Sequence, residues 1–272
     1  MTISIPSKHG TALITGASSG IGRAYAERLA KRGYDLVLVA RREQVLKEIA
    51  RGIEAEYPIK AKVLVADLST SAGISAVAEH ISASERLSMI VNNAGVSALT
   101  PLTDTRDEAI TEMINLNITA VTVLSKAALG KFKHQGSGTI INIGSGAGFS
   151  SFPDIPLYTA TKAFVYLLTR NLQGEVAGTD VRVQLVVPGA VKSEGWDRAV
   201  SAGLTSVPKE VIMSTEDCVD ASLSGLDQGE MVTAPSLEDA SVLQDYEAAA
   251  SRLVQSMFNG MPATRYSVAK LP

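Results

Sequence analysis

The chain has 272 residues, 46% of them hydrophobic and 19% charged, with a formal net charge of −3 and no run of like charges. A charged share below the usual value of about 25% suits a large buried core and excludes a disordered chain, while the slightly acidic balance excludes a nucleic-acid groove or an anionic membrane surface as partner. Cys218, the one cysteine, excludes an internal disulfide, and His9, His80 and His134 lie too far apart in sequence to suggest a metal site.

The N-terminal residues up to Gly10 contain no apolar stretch of signal-peptide length, and nothing downstream approaches 18 uninterrupted apolar residues. A cytoplasmic protein without a membrane segment is therefore expected. Strands are predicted at 11–15, 35–40, 61–66, 88–92, 138–144, 181–187 and 230–234, each short and almost continuously apolar, as strands buried on both faces are. Helical stretches fill the gaps near 20–32, 42–56, 71–84, 104–134, 157–176, 215–228 and 237–258. This alternation predicts an α/β fold, a doubly wound parallel sheet of about seven strands flanked by helices, in a single domain over 1–272 with a C-terminal helical extension at 237–258.

The glycine-rich turn Thr15-Gly16-Ala17-Ser18-Ser19-Gly20-Ile21-Gly22 stands between the first strand and the first helix. There, backbone amides and a helix N-terminus can hold the pyrophosphate of a dinucleotide. Other polar or turn residues fall where the following strands end: Asp67-Leu68 after the third, Asn93-Ala94-Gly95 after the fourth, Ser145 after the fifth, Pro188-Gly189 after the sixth. Ligands of open α/β sheets bind outside these carboxyl ends.

Tyr158 precedes Lys162 by four residues, which places phenol and ammonium on one helix face, where the positive charge favours phenolate. Ser145, 13 residues before Tyr158, offers a hydrogen-bond donor to a substrate oxygen. A phenol of ordinary pKa near 10 is a poor proton carrier at neutral pH, so Lys162 is expected to depress it.

Taken together, these motifs resemble the short-chain dehydrogenase/reductase family over about Gly10 to Ser193. Thr15 to Gly22 resemble its cofactor turn, Asn92 to Gly95 its strand-four motif, Asn117, Ser145, Tyr158 and Lys162 its catalytic tetrad, and Pro188-Gly189 with Ser193 its strand-six motif. The chain departs from common family residues at Ser19, Ala120, Gly144, Gln184 and Ser193, none of which removes a catalytic group. The resemblance implies a Rossmann-like fold and an oxidoreductase using Tyr158 as general acid/base. It further implies that Lys162 holds the nicotinamide ribose and that Asn117 orders a water in the proton path. The implied cofactor contacts are Gly16, Ser18, Ser19, Gly20, Ile21, Gly22, Asp67, Leu68, Asn93, Ala94, Gly95, Tyr158, Lys162, Pro188, Gly189, Val191 and Ser193.

Cofactor choice reads from the end of the second strand. Ala40 stands where NAD-preferring relatives carry a carboxylate, and Arg41 follows, a guanidinium suited to a 2′-phosphate; NADP(H) is expected over NAD. Arg42 reads as a solvated residue at a helix start. The expected substrate is a small, apolar carbonyl or secondary alcohol, bounded by Val96, Leu99, Phe149, Phe152 and Trp196, with 191–213 as a lid. The alternatives are an idle NADP-binding regulator, which would need no tetrad, and an epimerase or dehydratase on the same scaffold. Apolar positions in excess on the helices at 104–134 and 157–176 predict a homodimer or homotetramer.

Overall fold

The computed structural model describes residues 9–97, 100–192 and 208–266. Seven parallel strands form one sheet in the order β3-β2-β1-β4-β5-β6-β7. They are β1 (Thr11–Thr15), β2 (Asp35–Ala40), β3 (Ala61–Val65), β4 (Leu87–Asn92), β5 (Ser137–Ile143), β6 (Asp180–Val186) and β7 (Val232–Thr233). The winding reverses at β1, whose neighbours are β2 on one side and β4 on the other. That reversal opens a crevice at the carboxyl ends of β1 and β4.

Helices cover both faces: α1 (Gly20–Lys31), α2 (Glu43–Glu56), α3 (Ser71–Ala83), α4 (Asp107–Ile114), α5 (Val121–Gln135), α6 (Pro156–Glu175) and α7 (Thr215–Asp227). Successive strand residues point to opposite faces. Thus Ile14, Leu38 and Val91 pack with Leu29, Leu46 and Val219 of α1, α2 and α7. Leu13, Val37 and Ile90 pack with Val77, Leu124 and Leu172 of α3, α5 and α6. Burial on both sides is why the strands read as unbroken apolar runs. Cys218 packs in α7, 1% exposed.

Three elements differ from the sequence expectation. β3 is an edge strand with exposed Lys62 and Val65 rather than a buried one. β7 shrinks to two residues. The helix expected over 104–134 starts as a 3₁₀ turn at Leu102–Asp104, runs as α4, widens into a π-helical segment over Asn115–Ala120 and continues as α5. The stretch from Asp107 to Gln135 has the length and hydropathy to cross a membrane, yet half of its most apolar window is buried inside the fold.

The chain divides into two compact units, one through Ser236 and one from Leu237. The second contains α8 (Ser241–Met257), an amphipathic helix none of whose residues is buried.

Candidate active site

Two glycines make the turn after β1 possible. Gly16 adopts φ +69°, and a Cβ there would lie 2.7 Å from Asn93 Nδ2. A Cβ on Gly22 would lie 2.4 Å from the Gly16 carbonyl oxygen and 2.5 Å from Asn93 Nδ2. Only glycine lets turn, helix and strand-four loop approach this closely. Thr15 then knots two strand ends together: its Oγ1 accepts from the Asn93 and Ala94 amides, each at 3.0 Å, while Asn93 Nδ2 donates to the Thr15 carbonyl at 2.9 Å. Ser19, the N-cap of α1, makes no side-chain capping bond. The first-turn amides of α1 thus stay available to an anion, and the glycine cradle fits a pyrophosphate.

Beyond β2, Arg41 Nη1 donates to Glu112 Oε1 of α4 at 3.4 Å. Arg42 instead folds back onto the turn, donating to Ser18 Oγ at 3.1 Å and to the Ser18 carbonyl at 3.1 Å. In the sequence Arg42 reads only as a solvated residue at a helix start. Adjacency to Arg41 is the one signal that could have drawn it in, since its turn toward Ser18 is a tertiary choice. Asp67 is anchored by Ser69, whose Oγ and amide donate to its carboxylate at 2.7 and 2.9 Å. Those bonds, helped by the charge of Arg41, hold the Asp67 carboxyl below its usual range. Leu68 is buried beside it.

The π segment positions Asn117. Widening the helix by one residue per turn brings this amide, 1% exposed, against the strand-four loop. Its Oδ1 accepts from the Val96 amide at 2.9 Å, and its Nδ2 donates to the Val96 carbonyl at 2.8 Å and to Thr161 Oγ1 at 3.1 Å. Thr161 Oγ1 in turn donates to the Tyr158 carbonyl at 2.8 Å. Asn117 therefore braces the loop after β4 against the helix that carries Tyr158, a link through Thr161 that no sequence motif announced. The neighbouring Asn115 points elsewhere, to the Ser69 carbonyl at 3.0 Å.

Ser145 caps the short 3₁₀ turn Gly146–Phe149, accepting from the Ala147 amide at 3.2 Å. Gly146 donates to the Pro188 carbonyl at 2.8 Å, which ties the ends of β5 and β6 together. Gly148 lets this turn lie on α6, since a Cβ there would sit 2.8 Å from the Lys162 carbonyl carbon. On α6 the Lys162 ammonium lies 5.7 Å from the Tyr158 ring centroid and donates to the Ile143 carbonyl at 3.0 Å. Ser145, Tyr158 and Lys162 thus meet at the carboxyl edge of β5.

The electrostatics differ from the sequence expectation. Loss of water around the Tyr158 phenol raises its pKa above the ordinary 10, and its hydrogen bond to Ser145 only partly offsets this. Burial also lowers Lys162 from 10.5 to about 8. Burial raises the Tyr158 phenol and lowers the Lys162 ammonium alike, so in this arrangement Lys162 does not depress Tyr158.

The charged lysine is thus a cost to the fold. Its folded pKa lies below its unfolded one, so the penalty is full below about pH 8 and disappears as pH rises toward 10.5. We expect Lys162→Met to stabilise the protein at pH 7 by about 2 kcal/mol, about 3 kcal/mol of relieved burial cost less about 1 kcal/mol for the lost bond to Ile143, raising Tm by about 4–8 °C. Thermal melts should show this advantage shrinking between about pH 8 and 10.5. Cys218, pushed up to about 12 by burial, destabilises both forms above pH 9 and drops out of the difference. A variant less stable at pH 7, or an advantage independent of pH, would contradict the assignment.

Of the remaining expected residues, Pro188 and Gly189 follow β6, and Ser236 Oγ would lie 3.3 Å from a Cβ at Gly189. Val191 bridges Met213 in parallel, and Lys192 donates to the Met213 carbonyl at 2.9 Å, so the two ends of the expected lid meet. Ser193, Trp196 and Leu99 lie outside the described residues, as does 193–207 of the lid. A groove of about 550 Å³ between α3 and α5, lined by Ala78, Val123, Lys126 and His134, lies on helix faces away from this edge. Among the described residues, no group of three or more His, Cys, Asp or Glu side chains could hold a metal.

A seven-stranded parallel sheet with this switch point and this crevice defines a doubly wound, Rossmann-like α/β protein. The family model for short chain dehydrogenases matches residues 10–202, and the chain belongs to that family. It is similar to a short-chain dehydrogenase from Sphingobium yanoikuyae solved in complex with NADPH, at 38% identity and a TM-score of 0.89, covering 96% of this chain and 100% of that one. It is also similar to a bulky-bulky ketone specific alcohol dehydrogenase from Comamonas testosteroni, at 34% identity and a TM-score of 0.86, covering 94% and 98%. Very-long-chain 3-oxoacyl-CoA reductase-B of Danio rerio is 36% identical over 182 residues, 65% of this chain but only 58% of that protein. The chain thus spans less than two thirds of that curated relative.

Proposed function

We propose that the protein is an NADP(H)-dependent oxidoreductase that interconverts an apolar ketone and its secondary alcohol. The observation that carries this reading is the meeting of Ser145, Tyr158 and Lys162 beside a glycine cradle fitted to a dinucleotide. When bound, the nicotinamide cofactor supplies the hydride.

The side chains handle position and proton. Ser145 Oγ donates to the substrate oxygen and stabilises the charge that develops there. Tyr158 Oη passes its proton to that oxygen, and Lys162, charged below about pH 8, favours the resulting phenolate. Asn117 and Thr161 hold α6 at the correct distance from the loop after β4. Arg41 and Arg42 supply positive charge near the adenosine end, which suits a 2′-phosphate.

The apolar substrate class draws support from Phe149, stacked edge-on against Tyr166 at 4.9 Å, and from Phe152, which is 45% exposed. The NADPH complex of the Sphingobium relative and the ketone specificity named for the Comamonas relative agree with it. Exposed Phe164 and Leu167 on α6 suit a subunit contact in a homodimer or homotetramer. NADPH oxidation at 340 nm across a carbonyl panel tests the reading. Apolar alkyl and aryl ketones should be reduced with kcat/KM about ten-fold or more above that of 2-oxo acids, because Phe149 and Phe152 offer apolar contact to a ketone and no charge partner to a carboxylate. A preference for oxo acids, or no turnover with any ketone, overturns it.

A further inference from the structure

The geometry points to Glu112 as a positioning residue that sets cofactor selectivity through Arg41, an inference that rests on the proposed use of NADP(H). Arg41 and Glu112 come from opposite sides of the crevice, one following β2 and the other on α4. Their side chains meet at 3.4 Å and are 59% and 40% exposed. Arg42 is turned onto Ser18. Arg41 is thus the guanidinium beyond β2 that faces α4, and Glu112 is the carboxylate it pairs with.

A 2′-phosphate that approaches Arg41 meets a guanidinium already held by a carboxylate. Two anions compete for one cation, so phosphate binding must give up the pair with Glu112. Preorganisation acts the other way, since the pair restricts a long side chain, but for an exposed pair that gain is smaller than the loss of the pair that the phosphate displaces. Glu112 therefore weakens NADPH binding and leaves NADH, whose ribose carries a neutral hydroxyl, nearly untouched. The effect is to bring the two affinities closer than Arg41 alone would set them.

Titration of NADPH and NADH by fluorescence into the parent protein, Glu112→Gln, Arg41→Ala and the double variant tests this. Glu112→Gln keeps the side-chain shape at an exposed helix position. It should tighten NADPH by about two- to five-fold, the reach of an exposed ion pair, and change NADH by less than about 1.5-fold. In the Arg41→Ala background the same substitution should change NADPH affinity by less than about 1.5-fold. Unchanged or weaker NADPH binding in Glu112→Gln overturns the inference, as does an equal gain without Arg41. A parent protein that binds NADH more tightly overturns instead the NADP(H) reading, and Arg41→Ala shows which of the two has failed.

Discussion

Replacing Tyr158 with Phe should lower turnover by about 10²-fold or more while cofactor affinity stays nearly unchanged. Removal of a general acid leaves hydride transfer without a partner at the oxygen, and such groups contribute on the order of 10²–10⁴ in rate. The phenol is buried, with the Lys162 ammonium 5.7 Å from its ring centroid, and in the variant the ring carbons would remain to fill the same space. Steady-state kinetics with NADPH and an apolar ketone, paired with cofactor titration, separate the two quantities. Activity within a few-fold of the parent would remove Tyr158 from its assigned role.

The second expected result concerns the end of β2. Arg41→Ala combined with Ala40→Asp should invert selectivity from NADPH to NADH. Loss of a charge-assisted bond to the 2′-phosphate costs about 1.5–3 kcal/mol, or about 10- to 100-fold in affinity. The new carboxylate at position 40 can accept from a ribose hydroxyl and repels a phosphate. Arg42 survives in this variant, bonded to Ser18, so the alanine alone is expected to reduce selectivity without reversing it. Competition between the two cofactors for the double variant decides the matter. Retained preference for NADPH would move phosphate recognition from Arg41 to Arg42.

Much of this architecture is legible in the chain because the local patterns agree with each other. The strands β1 and β2 fall where their apolar runs predict, and the turn between β1 and α1 needs glycine at positions 16 and 22 for reasons of space alone. Tyr158 and Lys162 share a helix face by their four-residue spacing. Where the sequence reading slipped, the deciding interaction came from afar. Nothing local in Asn115 to Ala120 announces a π segment; it is compensated by the bonds of Asn117 to Val96 and Thr161 across the fold. The exposure of β3 follows from its place at the edge of the sheet, which strand order sets and composition does not.

The sequence by itself determined the doubly wound sheet, the glycine turn after β1 and the placing of Tyr158 and Lys162 on one helix face, because strand period, glycine spacing and helix-face spacing are short-range properties. The tertiary structure alone decided which arginine turns toward Ser18 and which toward Glu112, how Asn117 braces α6, and the sign of the pKa shifts at Tyr158 and Lys162. Each of these depends on how much water is removed and on partners distant in the chain, and solvation and long-range pairing exist only once the sheet and its helices have closed around the site.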